Sequence, residues 1–371
     1  MERPDTRIRR GVVAAGLISL VAYGALHLLS PPRVIHYSEE MLAAARKMAH
    51  GLAIVGDYRR SAGLPVDAGL DPNGTGLIGP EYSELVTTSG DLEAKRTTTD
   101  PNMAALLVHL LEAAGAAGGD TVAIGCSASF PALLIASLAA AEAMGVHPVF
   151  IISLGSSSYG MSDPRFNLLH LHQLLLRSEI TNVGSAAVSI GGSRDVGADL
   201  EVDARERLTR QIEATADVFI HEADLRINVD QRMRIYEGPQ RSRVAAFINA
   251  GGNFANLGTS PGVLSVRPGL NRHLSLPAEQ ERGVLFEMAG RGVPVIHLLN
   301  IRGLADRYGL LWDPVPLPAP GTTRLTMPVS GSNSALWWIS IIYILFLTLI
   351  GMYMYLSGVP TAIERQDGRG T

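Results

Sequence analysis

The sequence predicts an α/β protein in which a doubly wound, mostly parallel sheet lies between two transmembrane helices. Three observations predict it. Six short apolar runs alternate with helix-length segments through the middle of the chain, Gly-, Ser- and Asn-rich turns follow several of those runs, and two long uncharged segments stand near the ends. Short buried strands joined through helices need both faces of a parallel sheet covered, which is the doubly wound arrangement.

Residues 1–10 carry Arg3, Arg7, Arg9 and Arg10, and the apolar run 11–29 follows at once. An Arg excess holds a short flank in the cytoplasm, and the run is close to the roughly 20 residues a membrane helix needs. A cleaved signal peptide is the rival reading, with "AYG" before Ala25 as the small-x-small pattern. The second run, 335–356, has Trp337, Trp338, Tyr353 and Tyr355 at its ends, and Arg365 and Arg369 in the tail 357–371. Together these features predict a two-pass protein of the cytoplasmic membrane with both termini inside and an extracytoplasmic domain over 34–313. The Pro-rich stretch 314–334 reads as its tether.

Within that domain, Ser38 caps a first helix that has Glu39 and Glu40 in its opening turn. A long loop through Asp71-Pro72, Asn73-Gly74 and Gly79-Pro80 follows. Asp100-Pro101 then opens a second helix. The predicted strands are 121–125, 148–155, 186–192, 217–222, 244–252 and 293–300. The helices between them are "FPALLIASLAAAEAMG", "NLLHLHQLLLRS", "DARERLTRQIEATA" and "AEQERGVLFEMAGRG".

Ligands of open parallel sheets bind beyond the carboxyl ends of the strands. Four loops there are polar: "GCSASFP" (125–131), "GSSSYGMSDP" (155–164), "GGSRDVGAD" (191–199) and "NAGGNFANLGTS" (249–260). They nominate Gly125, Ser127, Ser129, Ser156, Ser157, Gly191, Gly192, Arg194, Asn249 and Asn253 as ligand-binding residues. Pro131 in a first helical turn leaves the amides near Ser129 free for an anion, and Gly125 lets a ligand approach the backbone. The alternative is an ordinary strand-to-helix turn with a serine cap. Arg226, Arg232 and Arg234, with Arg241 and Arg243, form a cationic run suited to carboxylates, or else a solvated face.

The candidate catalytic set is Ser127 or Cys126 with His221 and Asp195. "GCSAS" matches only the first half of a nucleophile elbow. Cys126 gains thiolate character only if it meets a helix amino terminus, and a lone buried cysteine is otherwise core. "FIHEAD" puts His221, Glu222 and Asp224 at a strand end, as an acid–base group, as metal ligands or as solvated residues. His170 and His172, two apart on a helix, point to different faces, so no metal site is predicted, and no cofactor either. One cysteine forbids an internal disulfide, and the net charge of -4 gives no footprint for nucleic acid.

The stretches "AIGCSASFPALLIASLAAAEAMGVHPVFIISLGSSSYG", "SIGGSRDVG", "INAGGNFANLG" and "VIHLLNIRGLADRYGL" resemble the bacterial poly-gamma-glutamate system protein family over most of residues 35–315. That resemblance implies a role in synthesis, export or processing of a capsular polyglutamate, with the polymer and other membrane subunits of the synthesis complex as partners. No G-x-x-x-x-G-K-[ST] signature is present, so ligation belongs to a partner. The expected function is an accessory protein that binds the anionic polymer. The alternatives are a hydrolase or transferase acting on gamma-glutamyl bonds, and a structural partner of the ligase.

Overall fold

The computed structural model describes residues 13, 15–21, 32–238, 243–328, 341 and 343–352. In chain order, β1 (Arg33–Val34) is followed by α1 (Glu39–Ser61), β2 (Val86–Thr88), α2 (Leu92–Thr97), α3 (Asn102–Ala114), β3 (Thr121–Ser127), α4 (Pro131–Met144), β4 (His147–Ser153) and β5 (Ser156–Ser157). Next come β6 (Ser162–Asp163), β7 (Phe166–Asn167), α5 (Leu168–Arg177), β8 (Ala187–Ser189), α6 (Val202–Thr215), β9 (Phe219–Ile220), α7 (Leu225–Glu237) and β10 (Val244–Ala250). The last are α8 (Phe254–Leu257), β11 (Gly269–Asn271), α9 (Val284–Gly290), β12 (Val295–His297), α10 (Ile301–Tyr308) and β13 (Thr326–Met327).

Local chemistry sets these boundaries. Ser38 accepts a hydrogen bond from Met41 N at the start of α1, and Arg59 and Arg60 lie in its last turn, complementing the helix dipole. Pro131 opens α4, and Gly145, at φ 64°, ends it in the left-handed conformation that costs glycine nothing.

Residues Ile35–Leu325 form one compact unit. Its seven-stranded sheet has the order β11-β12-β10-β3-β4-β8-β9. Five ladders are parallel and the β11–β12 ladder is antiparallel, so the sheet is mixed, with its one antiparallel strand at an edge. The chain goes from β3 outward through β4, β8 and β9, then returns to β10 on the other side of β3. The switch point of the topology, where such folds bind ligands, therefore lies between β3 and β10.

Side chains alternate between the two faces. Ala123, Ile151, Ala187, Phe247 and Val295 pack against Val229, Met233 and Tyr236 of α7 and against Val284, Leu285 and Phe286 of α9. On the other face Ile124, Phe150, Ile152, Val188 and Ile248 are fully buried. Residues 314–325 belong to this unit: Asn73 Nδ2 donates to Pro314 O at 2.9 Å, and Leu325 is buried.

The second unit comprises Met1–Val34 and Thr326–Thr371, and within it β1 pairs antiparallel with β13. No helix among the described residues is long and apolar enough to cross a membrane. That finding corrects the expectation of transmembrane helices over 11–29 and 335–356, and with it the two-pass, extracytoplasmic topology. Of these segments the description covers only 13, 15–21, 341 and 343–352; their remainder and the terminal segments 1–10 and 357–371 lie outside the described residues.

Candidate functional site

On the α7 face, the last inward-pointing position of each central strand is polar. The register aligns His297, Asn249 and Gly125 across β12, β10 and β3, and Ser127, Ser153 and Ser189 across β3, β4 and β8. Beyond this row opens a cleft of about 270 Å³, lined by Thr87, Thr88, Ser127, Ser129, Gly155, Gly191, Gly192, Asp199, Gly252, Asn253 and Phe254. No side chain caps the start of α4 beside it.

Ser127 Oγ lies at the cleft buried and, among the described residues, without a hydrogen-bond partner. Asn249 Oδ1 and both polar side-chain atoms of Asn256 are buried and unpartnered too. A buried polar atom left unpaired costs about 1–3 kcal/mol, so the switch point carries unspent hydrogen-bonding capacity. Gly125 makes room for this arrangement, since a Cβ there would lie 2.8 Å from Asn256 Cγ. Asn249 Nδ2 and His297 Nδ1 are 3.2 Å apart. Burial pushes the His297 imidazole down to about 4, so it is neutral at physiological pH.

Asp195 is the hub of a second buried network. Its Oδ2 accepts from Arg232 Nη2 at 2.6 Å and from Asn228 Nδ2 at 2.9 Å. Its Oδ1 accepts from Asn253 Nδ2 at 2.7 Å and from Ser189 Oγ at 2.9 Å. These bonds hold the 191–199 loop, in which Arg194 and Asp195 have φ values of 55° and 64°, a conformation that costs a non-glycine residue energy. Asp195 and Arg232 thus lie behind the cleft and anchor Asn253, which lines it. Neither Asp195 nor Arg232 is exposed to a ligand, for both are wholly buried.

The proposed catalytic set does not converge. Cys126 points to the α4 side of the sheet, and full burial pushes its thiol up to about 12. His221 is exposed just beyond β9, three strands from Ser127, or about 14 Å at roughly 4.8 Å per strand. Its neighbours are capping groups: Asp224 Oδ1 accepts from Ile227 N, and Glu222 Oε1 from Asp224 N. His170 joins the Asn167 capping box of α5, whereas His172 Nε2 bonds Val183 O at 3.0 Å.

The arginines are also dispersed. Arg226 pairs with Glu287 at 2.9 Å. Arg234 lines a separate groove of about 720 Å³ with Arg243, Arg291, Asp230 and Glu237. That groove borders Val244 and Pro294, at the amino ends of β10 and β12, about 20 Å from the cleft by the length of a seven-residue strand. Arg194 Nε donates to Ala223 O at 3.2 Å. Ser156 Oγ is turned inward to Ala128 O at 3.1 Å.

One residue that sequence reasoning passed over is Lys95, in the polar stretch between the loop through Gly79-Pro80 and the helix opened by Asp100-Pro101. Asp91 caps α2 and so fixes Lys95 beneath the cleft wall, with its Nζ donating to Ser129 O and to Ser157 Oγ. The available signal was "SGDLEAKR", an Asp cap followed three residues later by Ala and then by a lysine on the inward face. No family model, curated protein or solved structure matches the chain.

Proposed function

We propose that the α/β unit is a binding module for a polar chain that carries amides and carboxylates, and that poly-gamma-glutamate, the polymer of the family the sequence resembles, is its ligand. The single observation behind this reading is the unpartnered, buried Ser127 Oγ at a hydroxyl- and glycine-lined cleft beside the open start of α4. A helix start offers amides and a positive dipole end to a carboxylate. The hydroxyls of Thr87, Thr88 and Ser129 complement amide groups, and Gly155, Gly191, Gly192 and Gly252 let a chain lie against backbone. At about 270 Å³ the cleft is smaller than typical drug-sized sites of about 300–1,000 Å³, so one or two monomer units fill it. Association with other subunits of such a system belongs to the same proposal.

Retention of the polymer by the immobilised full chain at low salt tests the reading. Poly-gamma-glutamate is expected to be retained, an uncharged polyamide of similar length to pass, and Ser127→Ala to weaken retention. Equal passage of both polymers would contradict it.

A further inference from the structure

Lys95 is 2 % exposed and has no carboxylate partner among the described residues. Its Nζ lies 2.6 Å from Ser157 Oγ, bonds Ser129 O, and sits 3.8 Å from the centroid of the Phe130 ring. A buried ammonium without a counter-ion costs several kcal/mol. An apolar side chain would fill the same space without that cost, so the position calls for a reason beyond packing.

The surroundings supply one. Ser157 N donates to Ser129 Oγ at 3.0 Å, and Ser129 lines the cleft. Ser157 pairs with Thr88, another cleft residue, in the β2–β5 ladder. Gly90 packs closely over this corner, since a Cβ there would collide with Ser158 O and lie 3.2 Å from both Lys95 Cε and Ser157 Oγ. Desolvation pushes the Lys95 amine down to about 7, and Asp91, the α2 cap, is the charged group whose field opposes this. Much of Lys95 is therefore free amine at neutral pH. In that form Nζ still donates to Ser129 O, and its lone pair is free to accept a hydrogen bond from the Ser157 hydroxyl.

We propose that Ser157 and Lys95 are a nucleophile and general base for acyl transfer on an amide or ester carbonyl that enters along the Thr88–Ser129 wall of the cleft. Ser157 Oγ adds to the carbonyl carbon as its proton passes to Lys95 Nζ. Collapse breaks the C–N or C–O bond, and the Lys95 ammonium returns that proton to the leaving nitrogen or oxygen. Water then adds to the acyl ester, gives a proton to Lys95, and releases the acid as the proton returns to Ser157 Oγ. This activity goes beyond polymer binding and uses none of Cys126, His221 or Asp195.

The test is labelling of the full chain with a fluorophosphonate, which phosphonylates activated serines with loss of fluoride, followed by intact mass and peptide mapping. One adduct on Ser157 is expected, with a rate that climbs with pH to a plateau, its midpoint near 7. Ser157→Ala should lose the adduct, and Lys95→Arg should slow labelling by about 100-fold or more, the scale of general-base assistance. No adduct on the wild type at pH 8.5, or the same adduct in Ser157→Ala, would overturn the proposal. If Lys95→Arg does not fold, the wild-type pH profile decides, and a rate that is flat from pH 6 to 8.5 counts against it. Polymer retention is read separately. A chain that retains polymer but resists the probe fails this inference alone, and one that is labelled but does not retain polymer fails only the binding reading.

Discussion

Arg232 Nη2 stands 2.6 Å from Asp195 Oδ2, and both side chains are wholly buried. The pair fastens α7 to the 191–199 loop, so it shapes the cleft without facing it. Removing one partner of a buried pair leaves the other charge stranded, at about 3–5 kcal/mol. Arg232→Met is therefore expected to lower unfolding stability by that amount in urea titrations. Adding Asp195→Asn should restore part of the loss.

Gly125→Ala introduces a methyl group against Asn256. Overpacking of this kind costs about 1–3 kcal/mol. Thermal unfolding should show the loss, and Asn256→Ser in the same chain should relieve it.

Two buried bases contribute to the pH dependence of stability with the same sign. Burial holds His297 down at about 4, while an unfolded histidine titrates near 6.5. As pH falls from about 6.5 to 4 the unfolded state takes up the proton first, so stability present above that window is lost across it. Lys95, held at about 7 against about 10.4 unfolded, has the same sign in a higher window. Stability contributed by this group should rise from pH 7 to 9, by at most about 1.4 kcal/mol per pH unit. Urea unfolding at pH 7, 8 and 9 measures the slope. In Lys95→Met the slope should flatten, and an unchanged slope would show that Lys95 is not its source.

Cys126 is expected to resist alkylation in the native chain, because burial keeps it protonated and out of reach. Iodoacetamide followed by mass spectrometry should modify it only after denaturation.

The alternation of strands and helices was legible because apolar runs such as "TVAIG" and "PVFIISLG" are bounded by clear turns. Helix α7 was not. Its buried face carries Asn228 and Arg232, whose polarity hides the apolar stripe that periodicity detects, so the segment read as a cationic run. The antiparallel β11 is only three residues long, too short to show a period of two. At the site, the strand-end loops marked the place, but not which polar residues turn inward. Asp195 and Arg232 meet across residues 37 apart in sequence, and Lys95 reaches Ser157 across 62. No local pattern encodes either pairing.

Calorimetric titration of gamma-linked glutamate oligomers into the wild type, Thr88→Trp and the Arg234→Ala/Arg243→Ala double variant would locate the polymer site. Thr88 is exposed and lines the cleft, so an indole there fills the cleft at little cost in folding. If the cleft holds the polymer, Thr88→Trp abolishes the binding heat and the arginine variant binds within about threefold of the wild type, a difference under about 0.7 kcal/mol. Binding that survives Thr88→Trp and vanishes with the two arginines would place the polymer in the groove at the opposite end of the sheet and contradict the cleft as its site.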